Sequence, residues 1–267
     1  MGPLRVSAIS FLNTAPLMWD FEHASHPDFE ISYTVPSACA QALSEGTADI
    51  GLIPAATYAV NAGLRIIPGV AIAAKGAVRS ILVVSKRPLE EARSIAVDTS
   101  SRTSVALTQV LLEKRFGGRR PLAPMAPALG PMLREHDAAL LIGDSALLCE
   151  SRGYQVYDLA HEWQVLTGKP FVFAFWGIRE AALGSVPAGL DLAHAFQRSR
   201  DYGLANVDEI VTEWTSRIQL SAEEIKIYLT RHINYFLDQE NLAGLELFYR
   251  YAHDCGALPT PPALDFI

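Results

Sequence analysis

The fold of this chain is decided by residues 4–19, LRVSAISFLNTAPLMW. The first six residues are an apolar run typical of a strand buried on both faces. Pro16 lies just inside the expected start of a helix, where its missing N–H costs nothing. A strand that leads into a helix N-terminus leaves unpaired N–H groups and a positive dipole end, which suit a carboxylate or phosphate. Ser10, Asn13 and Thr14 are therefore either helix caps or ligands of an anion.

Strand and helix signals alternate from this unit to about residue 178. Residues 48–53 and 64–74 are apolar runs typical of strands, and an Ala-rich helix is expected to end near Gly46. Alternation at this spacing predicts an α/β fold with parallel-type sheets and helices on both faces. After Pro187 the pattern predicts helices alone. These expected helices cover 190–206, 207–219, 221–237 and 241–257, the third with a capping box at Ser221 and Glu224.

The strand pattern restarts after residue 87, which predicts two α/β lobes. The second lobe, 88–170, is inserted into the first, which comprises 1–87 and 171–267 with the C-terminal helices. The connecting strands, 79–85 and 171–178, are expected to act as hinges. A cleft between two lobes is a natural site for a small molecule, and it can close on its ligand.

Composition and charge exclude several classes of function. The chain has 267 residues, half of them apolar, and a formal net charge of −7 without a basic cluster, so neither nucleic acid nor a membrane is an expected partner. The seven histidines show no paired spacing, so no metal is expected. Three cysteines, Cys39, Cys149 and Cys255, are an odd number typical of buried thiols in a reducing compartment. No signal peptide is visible, and we expect a cytoplasmic protein.

Several long motifs occur in a specific order and spacing. They are SxLNTxP (10–16), PS (36–37), GxxDIGLIP (46–54), VRSIL (78–82), TSVAL (103–107), AALLIGD (138–144), YDL (157–159) and EWxxLTGxPFVFA (162–174). Together they resemble chorismate dehydratase of the futalosine route to menaquinone, over nearly the whole chain to about Arg179. The helical tail is only generally similar to that family.

The resemblance implies a two-lobed fold like the type II periplasmic solute-binding proteins, used here as an enzyme. It implies conversion of chorismate to 3-[(1-carboxyvinyl)oxy]benzoate and water. Loss of water makes the ring aromatic, which supplies the driving force, so no cofactor is expected. Two alternatives stay open: the sister enzyme that makes 1,4-dihydroxy-6-naphthoate, and a solute-binding protein without catalysis. The sequence leaves the oligomeric state open.

Chorismate carries two carboxylates, a ring hydroxyl and an ether, so its site needs anion-binding helix ends and a group at the reacting hydroxyl. The first helix end is the turn at 10–14, and the second is the hydroxyl-rich turn before a helix at 98–104. We assign Asn13 and Ser10 to the reacting centre. To substrate binding we assign Thr14, Ser80, Thr99, Ser101, Thr103, Ser104 and Asp144. Three bases remain open: Asp49, Asp144, and the enolpyruvyl carboxylate of the substrate itself.

Overall fold

A computed structural model describes residues 2–98 and 100–267 of the chain. In chain order the strands are β1 (Leu4–Ile9), β2 (Phe29–Thr34), β3 (Ile50–Pro54), β4 (Leu64–Ala74), β5 (Ile81–Ser85), β6 (Ile95–Val97), β7 (Leu122–Pro124), β8 (Ala138–Ile142), β9 (Gln155–Asp158), β10 (Phe171–Arg179) and β11 (Asn234–Leu237). The α-helices are α1 (Ala15–His23), α2 (Pro36–Glu45), α3 (Ala55–Tyr58), α4 (Arg102–Lys114), α5 (Leu129–Glu135), α6 (Gly143–Leu147), α7 (Leu159–Thr167), α8 (Leu192–Ala205), α9 (Val207–Trp214), α10 (Ala222–Ile227) and α11 (Gln239–Asp254).

These elements form two sheets, one in each lobe of the molecule. The larger sheet has the order β11-β4-β10-β3-β1-β2, and the smaller sheet has the order β7-β6-β8-β5-β9. The pairs of β1 with β2 and with β3 are parallel, as the sequence predicts for βα units. β10 runs antiparallel to both of its neighbours, because it enters the larger sheet from the other lobe. The α/β fold class predicted from the sequence is therefore confirmed, with mixed sheets.

The chain crosses from the larger lobe to the smaller lobe at a different point from the predicted one. β5 pairs with β8 and β9 in the smaller sheet, so the chain crosses over within 75–80 and not after residue 87. The polar turn at 86–88 lies inside the smaller lobe, where the N–H of Lys86 donates to the carbonyl of Asp137 at 2.9 Å. A turn and a lobe boundary have the same composition, which is why the sequence misplaced the crossing.

The prediction of helices alone after Pro187 was also wrong. β11 lies at the edge of the larger sheet and pairs with β4, within a stretch predicted as helix. Tyr235 and Leu237 are buried, and the residues between and before them are not, which is the alternation of an edge strand. The predicted capping box at Ser221 and Glu224 is present and starts α10.

Part of the hydrophobic core lies where α7 and α11 pack against the long strand β10. Trp163 of α7 is fully buried and stacks edge-on against Phe171 and Phe248, while its indole N–H donates to the carbonyl of Pro170 at 3.1 Å. This packing fixes the end of α7 to the start of β10, where the chain returns to the larger sheet. Within the described residues, no helix is long and apolar enough to cross a membrane.

Candidate active site

The turn that connects β1 to α1 forms the floor of a cavity between the lobes. A short 3-10 helix, Leu12–Thr14, follows β1, and α1 then starts with Pro16 in its first turn. The Thr14 side chain is buried, and its hydroxyl donates to the carbonyl of Phe11 at 2.7 Å. That hydroxyl therefore shapes the turn, although Thr14 also lines the cavity.

The central cavity is small and mostly apolar. Its free volume is about 50 Å³. Pockets that hold drug-sized ligands measure about 300–1,000 Å³, so this cavity is too small for such a ligand. Both lobes contribute apolar walls, including Phe11, Leu52 and Phe173 from the larger lobe and Ile142 from the smaller one. The polar side chains that line it are Asn13, Thr14, Ser80, Ser101 and Ser104.

Asn13 provides the clearest polar anomaly in this cavity. Its Oδ1 atom is buried and has no hydrogen-bond partner among the residues that the structure describes. An unsatisfied buried acceptor costs about 1–3 kcal/mol, and native structures contain few of them. A ligand that donates a hydrogen bond would satisfy this atom, so the orphaned acceptor points to a binding site.

The hydroxyl side chains of the turn before α4 and of its first residues have two different roles. Ser101 caps the helix by accepting from the N–H of Ser104 at 3.3 Å, and the two hydroxyl oxygens lie 3.0 Å apart. Both side chains line the cavity at the N-terminus of α4. Thr103 is fully buried and accepts a hydrogen bond from the N–H of Ala56 in the larger lobe, at 3.0 Å. Thr99, the remaining predicted hydroxyl ligand, lies outside the described residues.

Ser80 reaches the cavity from the crossing between the lobes. It lies in the turn before β5, not on the strand as expected, and it is buried. Arg79 before it is exposed and has a φ of 64°, which is uncommon for a residue other than glycine. The carboxylate of Asp158 accepts its N–H at 2.6 Å and so holds this turn. Ser80 therefore faces the cavity, and Arg79 is exposed to solvent.

Ser10 and Asp144 lie outside the central cavity, in a neighbouring surface cavity of about 450 Å³. Ser10 is exposed there, so the structure does not bring it to Asn13, although both were assigned to the reacting centre. Asp144 is at the start of α6, and its Oδ1 accepts the N–H of Leu12 at 3.3 Å. Burial raises the pKa of this carboxyl. Its contact joins the two lobes, much as the contact between Thr103 and Ala56 does.

Asp49, a candidate base, is committed to a salt-bridge network away from the cavity. Its carboxylate accepts from Arg5 Nε at 2.9 Å and from Arg179 at 2.7 Å. Hydrogen bonds from Arg5 hold the pKa of Asp49 well below its usual range. Asp49 therefore fastens β1 and β10 to the start of β3 and has no part in the site.

Substituting Asp49 with asparagine is expected to lower the melting temperature by about 2–6 °C at pH 7. The folded-state pKa lies below the unfolded value of about 3.9, so the stabilisation is present above that value and is lost as the pH falls. Thermal melts of both proteins from pH 7 to pH 3 check this, since the gap should narrow in acid. A constant gap would show that the carboxylate charge is not the stabilising element.

The central cavity has no charged side chain among its described lining residues, which include no carboxylate, no histidine and no lysine or arginine. Residues 2–98 and 100–267 also contain no group of three or more His, Cys, Asp or Glu side chains placed to hold a metal ion. An anion in this cavity would be held by hydroxyls and by the positive end of α4, not by an opposite charge.

Sequence reasoning missed one residue beside the cavity. Tyr228 is buried, and the side chains of Ser80 and Asn13 are polar neighbours of its hydroxyl. Burial raises the pKa of this hydroxyl, and the two polar neighbours oppose that rise without cancelling it. No local signal marks Tyr228, because its approach depends on how the C-terminal segment packs against the crossing between the lobes.

Comparison with solved structures defines the class of the fold. The periplasmic aliphatic sulphonate binding protein of Escherichia coli superposes with a TM-score of 0.66 at 16% identity, over 99% of this chain and 96% of that chain. A protein of Archaeoglobus fulgidus superposes with a TM-score of 0.76 at 20% identity, over 96% and 98% of the two chains. This chain thus has the two-lobed, periplasmic-binding-protein-like fold that its sequence predicts.

Comparison of sequences then shows the family. The family model described as menaquinone biosynthesis matches residues 4–254, and this chain belongs to that family. Chorismate dehydratase of Thermus thermophilus is 26% identical over 266 residues, which cover 93% of this chain and 94% of that protein. The resemblance inferred from the motifs is confirmed.

Proposed function

We propose that this protein is a chorismate dehydratase, a hydro-lyase that converts chorismate to 3-[(1-carboxyvinyl)oxy]benzoate and water. Membership of the menaquinone biosynthesis family and the similarity to the Thermus thermophilus enzyme support this activity. The observation that carries it is the unpartnered Oδ1 of Asn13, which is buried beside a cavity lined by residues from both lobes.

The chemistry of chorismate matches that acceptor. Both carboxylates are ionised at neutral pH, and the ether accepts only, so the ring hydroxyl is the substrate's one hydrogen-bond donor. Asn13 Oδ1 would accept from this hydroxyl and orient the group that leaves. A neutral amide can either orient this hydroxyl through its oxygen or hold a developing oxyanion through its N–H groups. The free acceptor favours the first role.

The N-terminus of α4 fits a carboxylate of the substrate. Ser101 and Ser104 present two hydroxyls there, and the helix dipole adds partial positive charge. The carbon that loses its hydrogen is joined through a ring double bond to the ring carboxylate. Negative charge therefore grows on that carboxylate in the transition state. Donors aimed at such a group lower the barrier. We therefore place a substrate carboxylate at this helix end.

The cavity favours the substrate's own carboxylate as the base. No carboxylate or histidine is among its described lining residues, and Asp49 is held by two arginines. In the proposed reaction the enolpyruvyl carboxylate takes the ring proton, the electron pair forms the new ring double bond, and the hydroxyl leaves. The proton then passes to the departing hydroxide, which gives water and restores the carboxylate.

A simple assay tests this function. Purified protein is incubated with chorismate, and formation of the benzoate product is followed by chromatography. Turnover is the expected result. Binding of chorismate without turnover would indicate a solute-binding protein. Conversion of cyclic dehypoxanthine futalosine in place of chorismate would indicate the naphthoate-forming sister enzyme.

We expect the activity to need neither a thiol nor a metal. Cys39 is fully buried, its Sγ donates to the carbonyl of Ser7 at 3.2 Å, and burial raises its pKa to about 11. The variant Cys39→Ala, Cys149→Ser, Cys255→Ser should retain wild-type kcat, also in excess EDTA. Loss of activity on chelation, with recovery when one metal is returned, would contradict a cofactor-free reaction.

The cysteines also bear on where the enzyme works. All three are free thiols, and Cys39 and Cys255 are buried. Free thiols persist in reducing compartments. We accordingly propose the cytoplasm as its location, which fractionation of cells with an antibody to the protein would test.

A further inference from the structure

Two cavities lie side by side at the turn between β1 and α1. The central cavity has a free volume of about 50 Å³, and the neighbouring surface cavity, which we call the outer cavity, has about 450 Å³. Ile9 and Thr14 line both of them. Asn13, with its unpartnered Oδ1, lines the central cavity, whereas the outer cavity is the one within the size range of small-ligand pockets. A ligand that reaches Asn13 must therefore gain space that other atoms fill in this structure.

The residues between these cavities come from both lobes. Phe11 of the larger lobe and Gly143 of the smaller lobe line the central cavity. Their neighbours in the sequence, Ser10 and Asp144, line the outer cavity. The N–H of Leu12 also donates to the carboxylate of Asp144 at 3.3 Å. Two short segments thus face each other across the boundary of the lobes, and they stand between the two cavities.

The Phe11 ring fits against Gly143 because this position has no side chain. A Cβ atom there would lie 3.1 Å from two carbon atoms of the ring, closer than the usual separation of about 3.5–4.0 Å between carbon atoms. Gly143 also has a φ of 56°, which residues other than glycine rarely adopt. The glycine therefore lets an aromatic ring of one lobe lie against the backbone of the other.

The Phe11 ring can move while its backbone stays in place. The carbonyl of Phe11 accepts hydrogen bonds from the N–H and the hydroxyl of Thr14, at 3.0 and 2.7 Å, and these hold the turn. The residue is only partly buried, so its ring can change to another staggered rotamer without disrupting the core. If the ring leaves Gly143, the two cavities join into one space of the size that small ligands occupy.

We propose that Phe11 is a gate residue between the two cavities. With its ring on Gly143 it separates them, and when the ring leaves Gly143 a small cyclic dicarboxylate passes between the outer cavity and the central one. This inference rests on the proposed function for the identity of the ligand, and it adds the route by which that ligand enters and leaves. Phe11 takes no part in the proton transfer.

The first test locates the route. Ser10→Trp places a large side chain in the outer cavity, and it is expected to lower kon and koff for the benzoate product about 10-fold each, with Kd unchanged. An obstacle in a passage slows both directions, whereas a lost contact raises koff alone. Line-shape analysis of the product's NMR signals during a titration gives koff and Kd, and their ratio gives kon. Wild-type rates in a folded Ser10→Trp protein would overturn the gate.

Two controls accompany this variant. Ser44→Trp adds the same bulk at the outer surface of the larger lobe and should change neither rate. Ser37→Trp tests another entrance, because exposed Ser37 lines two further surface cavities and follows Pro36, which lines the central cavity. Wild-type rates are expected here too. If Ser37→Trp slows both rates and Ser10→Trp slows neither, the ligand enters from that side and the gate is wrong.

The second test acts on the contact itself. The Cβ of Gly143→Ala should displace the Phe11 ring and raise both kon and koff about 10-fold, and a rise in koff alone would indicate a lost ligand contact and contradict the gate. Gly153→Ala is the matched control. Its φ of 85° gives the same kind of backbone strain, but apart from its chain neighbours no described residue has an atom within 4 Å of the added Cβ. Wild-type rates are expected for this control.

A measurement without ligand separates the gate from the proposed function. With 4-fluorophenylalanine labelling, the ¹⁹F signal of Phe11 is the one missing from the spectrum of Phe11→Leu. Gly143→Ala should shift this signal and make it more sensitive to a soluble paramagnetic agent, and Gly153→Ala should not. A wild-type protein that neither converts chorismate nor binds the benzoate would remove the function, while this signal would still report on the ring. An unchanged Phe11 signal in a folded Gly143→Ala protein would overturn the gate.

Discussion

Replacing Asn13 with alanine is expected to lower the kcat for chorismate dehydration about 10²- to 10³-fold while the protein stays folded. The expected loss is that of one preorganised hydrogen-bonding group at the reacting centre. Stability should be maintained, because Oδ1 has no partner among the described residues that its removal would leave unpaired. Steady-state kinetics and a thermal melt measure the two effects on the same sample.

Two further variants sharpen this test. Asn61→Ala makes the same truncation at the outer surface of the larger lobe, and it should leave kcat unchanged. Asn13→Asp preserves shape and places a carboxylate beside a dianionic substrate, so it should bind chorismate more weakly than Asn13→Ala does. Near-wild-type turnover by Asn13→Ala would exclude Asn13 from the active site, whatever its effect on stability.

The parts of the fold that could be predicted are those with a local cause. β1 and α1 follow from an apolar run and from Pro16 in the first helical turn. β11 was missed because a short strand at a sheet edge is stabilised by its pairing with β4, which lies far away in the sequence.

The site shows the same division between local and long-range causes. The sequence indicated that Asn13, Ser80, Ser101 and Ser104 belong together, and the structure brings these four around one cavity. Sequence reasoning could not distinguish the hydroxyls that face the cavity from those that face the other lobe. Thr103 is adjacent to Ser104 in α4, and yet only the packing of the two lobes directs it to Ala56.

Two of the hydrogen bonds that join the lobes involve sequence neighbours of the cavity residues Ser104, Asn13 and Gly143. The N–H of Ala56 donates to Thr103, and the N–H of Leu12 donates to Asp144. We call this pair the interlobe latch. The cavity has a free volume of about 50 Å³, so we expect the lobes to move apart before chorismate binds. Thr103 and Ser104, both expected to bind substrate, thus have different roles in closure, and separate substitutions can distinguish them.

Thr103→Val is expected to open the ligand-free protein. It leaves the buried N–H of Ala56 without its acceptor, at a cost of about 1–3 kcal/mol to the closed form alone. In solution scattering the radius of gyration without ligand should rise, and ligand should restore the closed value. The apparent affinity should fall with the closed fraction, about 5- to 150-fold. Thr212→Val, on the exposed face of α9, is the matched control and should change neither quantity.

Ser104→Ala is expected to weaken binding and to leave the ligand-free radius of gyration as it is. A hydrogen bond to a charged group contributes about 1.5–3 kcal/mol, so the Kd for the benzoate product should rise about 10- to 150-fold by calorimetry. The variant with both Thr103 and Ser104 replaced by alanine should not close on ligand, because it lacks one bond of the latch and one contact to the ligand.

The outcome for that double variant decides whether the ligand lies between the lobes. A dianion that contacts Asn13 in one lobe and Ser104 in the other must favour the closed form, since only this form allows both contacts. Ligand should therefore raise the melting temperature of the wild type by mass action, since the wild type can close on it. If the wild type binds ligand without a change in melting temperature or radius of gyration, and the double variant binds it equally well, the ligand contacts one lobe only. Ser101 would then serve α4 as a helix cap alone.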